Sequence, residues 1–448
     1  MKRPQPPVSA LPNTGPVEQT GPRQSAVRQW AIHWVYPRSQ ITPLGSSQIR
    51  IGRGPENDCV LEDASASRHH ANIVLRGGEY FIEDAGSSHG IQVNNARVRA
   101  DVLTDGTVVR LGSTVGVVVH AVSAATPPQI VAQHGLTKQL GSGKLLRVYE
   151  QARTLGQTQA PVFIHGETGT GKDALAYEIH WASARSGDFL PVNCATIRGD
   201  LASASLFGHV RGAFSGATAS AAGLAHAAQR GTLFLDEVAE LENDAQALLL
   251  RLLQNGELLR VGSTQPERVD VRVVSASHRS LEEWSRAAKF RADLFYRLAA
   301  HQISVPALRE RKEDIVPLFL LLAERDARGV SAGFVSELLN HTFPGNIREL
   351  SNYATRLRSE NNTVWGSHEF VRVARARESA PPTTLPERNS SAAPEAPGAR
   401  SAAQLSREDW QELAQRYAGN AASIARSSGF SESSVKRYLK KFGLRDES

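Results

Sequence analysis

Gly166-Glu167-Thr168-Gly169-Thr170-Gly171-Lys172 follows the apolar run Val162-Phe163-Ile164 and precedes a helix-forming stretch from Ala174 to Ala184. A glycine-rich turn at a helix N-terminus aims backbone N–H groups at phosphate oxygens. A lysine at its end neutralises charge on the β- and γ-phosphates. In the general pattern a Ser or Thr hydroxyl for magnesium comes next; here the residue is Asp173. Further along, Gly231-Thr232-Leu233-Phe234-Leu235 ends in Asp236 and Glu237. Asp236 is suited to hold Mg²⁺, directly or through water, and Glu237 to polarise an attacking water. Such an acidic pair can also be a helix N-cap. Together with the upstream loop it points to hydrolysis of a nucleoside triphosphate, with ATP and Mg²⁺ as the expected cofactors.

Between those two motifs lies Leu206-Phe207-Gly208-His209-Val210-Arg211-Gly212-Ala213-Phe214-Ser215-Gly216-Ala217. Each glycine inside a helix or strand costs about 1 kcal/mol, so this run makes a poor core element. It suits a loop that offers an aromatic, Phe214, and a hydroxyl, Ser215, to another protein. An ordinary Gly/Ala surface loop is the alternative.

The elements that must position these residues change character along the chain. Residues 1–28 hold six prolines and no apolar run, and read as a disordered arm rather than a leader or a membrane span. From 29 to 123, short β-type runs such as Tyr80-Phe81-Ile82-Glu83, Ile91-Gln92-Val93 and Val115 to Val119 suggest a β-sandwich. From 136 to 377, apolar strands alternate with helices, which predicts a mainly parallel sheet covered on both faces. Beyond Arg311 only helical patterns follow, as in a helical lid. Residues 378–403 form a Pro-rich linker, and 404–448 a short all-helical unit. Its last helix carries Lys436, Arg437, Lys440, Lys441 and Arg445 with no acid between Ser433 and Arg445. A net charge of +6 permits nucleic-acid binding without requiring it. Two distant cysteines, Cys59 and Cys194, argue against a disulfide framework or zinc site and fit a cytoplasmic location.

In order and spacing, the motifs between 136 and 377 resemble the sigma-54 activators, a branch of the AAA+ ATPases. The run Gly212-Ala213-Phe214-Ser215-Gly216-Ala217 is similar to their GAFTGA loop, with serine for threonine, and the resemblance implies contact with sigma-54 RNA polymerase. An acidic residue at Asp173 is common in that family. The resemblance further implies that Asn193 switches the catalytic glutamate, and places Ser277-His278 at the sensor I position, where Thr-Asn is more usual. Phe290 to Leu298 matches the arginine-finger segment, with Arg291 and Arg297 as candidates for a neighbouring subunit's γ-phosphate. Six residues on a helix turn by about 240°, so the two cannot share a face. Surface arginines, one paired with Asp293 four residues away, are the alternative. Phe343-Pro344-Gly345-Asn346-Ile347-Arg348-Glu349-Leu350 resembles the sensor II box, with Arg348 aimed at the nucleotide. Arginines supplied in trans imply self-association into a ring, with a hexamer as the family expectation.

Gly52-Arg53, Ser67-Arg68-His69-His70-Ala71, Asp84 to Gly90 and Val93-Asn94 resemble a forkhead-associated (FHA) domain, which reads phosphothreonine peptides. Arg53 and Arg68 would supply charge-assisted donors, and Ser67 a hydroxyl. Ser88 is a further donor by the resemblance, and His70 would brace the loop from inside. His89 stands where an asparagine usually holds the peptide backbone, and imidazole cannot donate and accept as an amide does. A docking sandwich without a ligand is the alternative. The C-terminal unit resembles a Fis-type helix-turn-helix. Ser433, Ser434, Lys436 and Arg437 would reach base edges, and Lys440 and Lys441 would hold phosphates.

These readings imply a multidomain fold: an all-β FHA sandwich, an α/β P-loop AAA+ ATPase with a helical lid, and an all-α helix-turn-helix. The implied function is a cytoplasmic activator that hydrolyses ATP to remodel closed polymerase–promoter complexes. Its partners would be sigma-54 RNA polymerase, upstream promoter DNA and a phosphothreonine protein or Ser/Thr kinase, with no membrane. The alternative is a DNA-binding regulator independent of sigma-54, in which ATP sets only the oligomeric state.

Overall fold

A computed structural model describes residues 30–120, 128–134, 137–197, 201–359, 362–378 and Leu439. The arm expected at 1–28, almost all of the linker, and the DNA-contact residues expected at Ser433, Ser434, Lys436, Arg437, Lys440 and Lys441 lie outside the described residues.

Two sheets form the N-terminal sandwich. One has six strands, in the order Gln40–Leu44, Trp30–Tyr36, Thr114–His120, Val108–Leu111, Ile91–Val93, Ala96–Val98. The other has five, in the order Cys59–Val60, Gln48–Gly52, Ala71–Arg76, Glu79–Asp84, Ala100–Leu103. Successive strand residues point to opposite faces. Ile32, Trp34, Val109 and Val118 therefore meet Ile51, Ile73 and Ile82 between the sheets. Ala31, Val108, Val115, Val117 and Val119 point the other way and are equally buried, because a second body covers them.

That body is a helical lid on the second domain, made of helices Ile315–Ala323, Ala332–Asn340, Asn346–Arg358 and Ser367–Glu378 around Phe319, Phe334, Phe343, Tyr353 and Trp365. The valines on the outer face of the sandwich continue this core. Polar contacts rim the junction. Tyr36 Oη donates to Val330 O (2.8 Å), and Asn95 Oδ1 accepts from Ser336 Oγ (2.5 Å) and Asn340 Nδ2 (3.1 Å).

The sheet of the second domain is parallel throughout, in the order Phe189–Asn193, Thr232–Asp236, Arg272–Ser277, Val162–His165, His301–Ser304. Covered on both faces, its inner strands carry buried apolar runs such as Val162-Phe163-Ile164 and Leu233-Phe234-Leu235. Helices Gly143–Gly156 and Lys172–Ala182 share one core with Val162, Ile164 and Phe234. Helices Asn243–Asn255 and Ala292–Leu298 share another with Leu233 and Leu235. Ahead of the first of these helices, an antiparallel hairpin, Gln129–His134 with Thr137–Gly141, packs Val131 and Ala132 on Leu145 and Tyr149.

Candidate functional site

Three adjacent parallel strands end side by side and bring the chemistry together. Strand Arg272–Ser277 lies between the strand leading to the phosphate loop and the strand ending at Asp236. Gly166 N donates to Ser277 O at 3.3 Å, which holds the loop to this sheet edge. Helix Lys172–Ala182 starts at the end of the loop, with Gly171 at φ +97° as its cap. Gly169 has φ +78°, and a Cβ there would stand 2.4 Å from Gly345 O, so the loop–lid approach requires glycine at this position.

Lys172 is 6% exposed, and its Nζ donates to Gly166 O (3.0 Å) and Glu167 O (3.2 Å). Burial lowers its pKa, while the Glu237 and Asp236 charges oppose that shift. Burial raises the Asp236 carboxyl; Glu237 adds to the rise and Lys172 opposes it. Two carboxylates are thus crowded where one ammonium, 4.0 Å from Glu237 Oε1, is the nearest counter-charge. That donor set of hard oxygens fits a divalent cation held by Asp236. Asp173 is exposed on the first turn of the helix.

The lid clamps the loop from the other side. Ile347 N donates to Gly169 O at 2.9 Å. Asn346, fully buried, donates through Nδ2 to Glu167 Oε2 (3.0 Å) and Thr168 O (3.1 Å), while its Oδ1 accepts from Leu308 N (2.8 Å). Arg309 grips Glu167 with two bonds of 2.8 and 2.5 Å. Those Arg309 bonds first, then the Asn346 bond, hold the Glu167 carboxyl at about 2. Arg348 is exposed beside Thr168 and Gly345 on a cavity of about 370 Å³. A second cavity, about 220 Å³, runs from Gly171 past Leu140, Tyr149 and Leu175 to Leu318, Leu322 and Ile347. Its apolar lining beside the phosphate loop suits a flat base.

Not every expected residue joins this cluster. Asn193 pairs in register with Asp236, but its Oδ1 accepts from Ala195 N (2.9 Å) and serves its own turn. Glu237 is held instead by His278, with Nδ1 2.7 Å from Oε2. Arg291 caps helix Ala292–Leu298 from outside and pairs with Asp293, so the ion pair forms across two residues rather than four. Arg297 Nε donates to Leu253 O (3.2 Å). Both arginines are exposed, and between them in sequence stands Tyr296, also exposed. Phe214 is half-buried rather than a free tip: its ring lies 4.9 Å from that of His209, beside a cavity of about 600 Å³ lined by Leu248, Arg251 and Leu259. Ser215 and Gly216 remain exposed.

In the sandwich, Gly52 allows two loops to touch, since a Cβ there would lie 2.3 Å from Arg68 O. Arg53 N then bonds Ser67 O (3.0 Å), and Ser88 N bonds Ser67 Oγ (3.1 Å). The side chains of Arg53 and Arg68 remain exposed at the same end. His70 is buried and braces the loops, accepting from Ser67 N (3.0 Å) and bonding Gly90 O (3.2 Å). His89 Nδ1 bonds Ser65 O (3.1 Å) and borders a cavity of about 260 Å³ with Gln92 and Arg110.

Residues 139–304 match the sigma-54 interaction domain, and residues 49–112 match the FHA domain. This chain carries a sigma-54 interaction domain behind an FHA domain. The nitric oxide reductase transcription regulator NorR1 of Cupriavidus necator is 46% identical over 215 residues, 46% of this chain and 42% of that protein. The anaerobic nitric oxide reductase transcription regulator NorR of Escherichia coli O139:H28 is 37% identical over 334 residues, 72% of this chain and 65% of that protein. The matches therefore span 42% to 65% of these two regulators' lengths. NtrX from Brucella abortus, crystallised with ATP, is 26% identical and covers 70% of each chain at a TM-score of 0.47.

Arg309 and Asn346 bind the phosphate loop to the lid, a pairing that the sequence does not mark. Asn346 stood inside the sensor II box but carried no role. Arg309 lies in a turn without periodicity, and only its partner across 142 residues gives it meaning.

Proposed function

We propose that this chain is a sigma-54-dependent transcription activator that hydrolyses ATP. The observation that carries the proposal is the position of loop 212–217: it rises from the sigma-54 interaction domain between the phosphate loop and the Asp236-Glu237 strand end. In this reading Gly166 to Lys172 binds the triphosphate, with Asp173 and Arg348 beside it. Asp236 holds Mg²⁺, which supplies charge neutralisation when bound, and Glu237 accepts a proton from the attacking water. Arg291 or Arg297 completes the site of the next subunit in a ring. Exposed Tyr296 between them supports that surface being covered in an assembly.

Arg53, Ser67, Arg68 and Ser88 take a phosphothreonine, with His89 beside the peptide. The signal then reaches the nucleotide through helix Ile315–Ala323. That helix packs against the sandwich and also contributes Leu318 and Leu322 to the apolar cavity beside Gly171. Residues 404–448 tether the assembly to upstream DNA.

The test is open-complex formation by the full chain on a promoter served by sigma-54 polymerase. Heparin-resistant complexes that need hydrolysable ATP are expected. Phe214→Ala should abolish them while ATPase activity persists. Active ATPase without open complexes in the unaltered chain would overturn the proposal in favour of a regulator independent of sigma-54.

A further inference from the structure

Resting on the phosphopeptide reading of the sandwich, we infer that Asn95 is the contact that couples it to the nucleotide. Through Asn95, a peptide held at Ser67, Ser88 and His89 sets the grip of the lid on the phosphate loop.

One short strand joins the peptide loops to the lid. Strand Ile91–Val93 lies between Val108–Leu111 and Ala96–Val98, and both ladders hold its register. It starts just after Ser88 and His89, and its Gln92 lines the cavity of about 260 Å³ that His89 borders. At its other end Val93 pairs with Ala96 across the two-residue turn Asn94-Asn95. Both turn residues have positive φ, +48° and +68°. Such turns match the twist of the strands they join, and asparagine adopts them at little cost. With no spare residue in the turn, a shift of the strand is passed on rather than absorbed. His89 and Asn95 are six positions apart, about 20 Å of extended chain.

The turn is fixed to the lid side twice. Asn94 N donates to Val108 O (2.9 Å) and Val108 N donates to Asn94 Oδ1 (2.9 Å). Val108 is buried in the core that sandwich and lid share. Asn95 reaches the lid itself, where its Oδ1 accepts from Ser336 Oγ (2.5 Å) and Asn340 Nδ2 (3.1 Å). Asn340 is the last residue of helix Ala332–Asn340. Six positions later, Asn346 holds Thr168 O and Glu167 Oε2 of the phosphate loop.

The segment between those two asparagines is pinned. Glu349 accepts from Gly345 N (2.7 Å) and Tyr353 Oη (2.7 Å), and His341 Nε2 lies 3.1 Å from Glu349 Oε1. Phe343 is fully buried. Two short, stiff segments therefore connect the peptide loop to the phosphate loop, with one hydrogen-bonded contact between them. The apolar junction keeps the domains together, and the Asn95 contact at its rim reports the position of the strand.

Coupling of this kind is reciprocal: the peptide changes ADP affinity by the factor by which ADP changes peptide affinity. The experiment selects a phosphothreonine peptide from a degenerate library on the immobilised full chain. Its Kd is then measured with and without saturating ADP, and the ADP Kd with and without peptide, for the full chain, N95G and N95D. In the unaltered chain the two ratios should agree and differ from one by about 5-fold or more. N95G keeps the positive φ and removes the acceptor. Its ratios should fall to within about 2-fold of one, while each ligand alone binds within about 3-fold of normal. N95D keeps an acceptor for both donors and should hold its ratios within about 2-fold of the unaltered chain's. Unchanged ratios in N95G, ratios of one in the unaltered chain, loss of coupling in N95D, or weakened binding of either ligand alone in N95G would each overturn the inference. An unaltered chain that retains no peptide, or binds no ADP, would instead sink the reading of that site.

Discussion

Asn346→Ala should separate the lid from the phosphate loop. Asn346 is fully buried, sits at φ +51°, and bonds Leu308 N, Thr168 O and Glu167 Oε2. Alanine strands the buried Leu308 N–H, which costs about 1–3 kcal/mol. Placing alanine in the left-handed region adds about 1 kcal/mol. The Glu167 bond adds under ~1 kcal/mol, because that carboxylate is 41% exposed and water replaces the lost donor. The expected loss is about 2–5 kcal/mol, a drop of roughly 4 to 20 °C in the ATPase domain's transition. Scanning calorimetry of the full chain reads this directly, and fluorescent ADP binding should weaken with it. Asn346→Asp separates the contributions: it keeps the acceptor for Leu308 N and sets a second carboxylate against Glu167 Oε2. It should therefore destabilise the domain above the carboxylate titration range and recover as the pH falls. A shift under about 0.5 kcal/mol in Asn346→Ala would refute the argument that this side chain joins lid and loop.

The Glu167–Arg309 pair gives an acid limb with a definite sign. Its carboxyl is depressed from 4.5 to about 2, so its contribution is present above 4.5 and fades as pH falls toward 2. Glu167→Gln should flatten the stability–pH curve of the full chain in that window, and an unchanged slope would refute the assignment. Val117→Asp would bury a carboxylate between the sandwich and the lid, at a cost of several kcal/mol if they stay docked. The two domains should then melt separately, and a single unaltered transition would refute the docking. Burial raises the pKa of both Cys59 and Cys194, so an aromatic disulfide reagent at pH 8 should label neither thiol until the chain unfolds. Rapid labelling of the native chain would count against their burial.

What the residues disclosed in advance follows from how locally each feature is encoded. The phosphate loop needs glycines, a lysine and a following helix within a dozen residues, so its chemistry can be read from one segment. Asp236 and Glu237 end a strand whose three apolar residues, Leu233, Phe234 and Leu235, are all buried, and that pattern is local too. Which side chain reaches Glu237 is not encoded locally: strand order puts His278, from the neighbouring strand, 2.7 Å from its carboxylate, while the Asn193 side chain bonds Ala195 N. Arg309 was invisible for the same reason, its partner being a loop residue far upstream. Phe214 looked free because nothing nearby in sequence announces the cavity beneath it.

The junction between sandwich and lid was readable in part, and its signal was a broken rule. A strand with one face in water alternates apolar and polar residues. Val115 to Val119 does not alternate: it reads Val-Gly-Val-Val-Val. An unbroken apolar run of this kind requires cover on both faces, and one sandwich supplies only one. Val118 fills the sandwich core, while Val115, Val117 and Val119 wait for a partner outside it. The run stated that a second body must dock there without naming it. The apolar helix Ile-Val-Pro-Leu-Phe-Leu-Leu-Leu-Ala at 315–323 carries the complementary anomaly, being too hydrophobic all round for a helix that covers a single core. Two elements with an apolar face in excess, in one chain, satisfy each other. That pairing makes the FHA domain and the wall of the cavity beside Gly171 neighbours through a single helix.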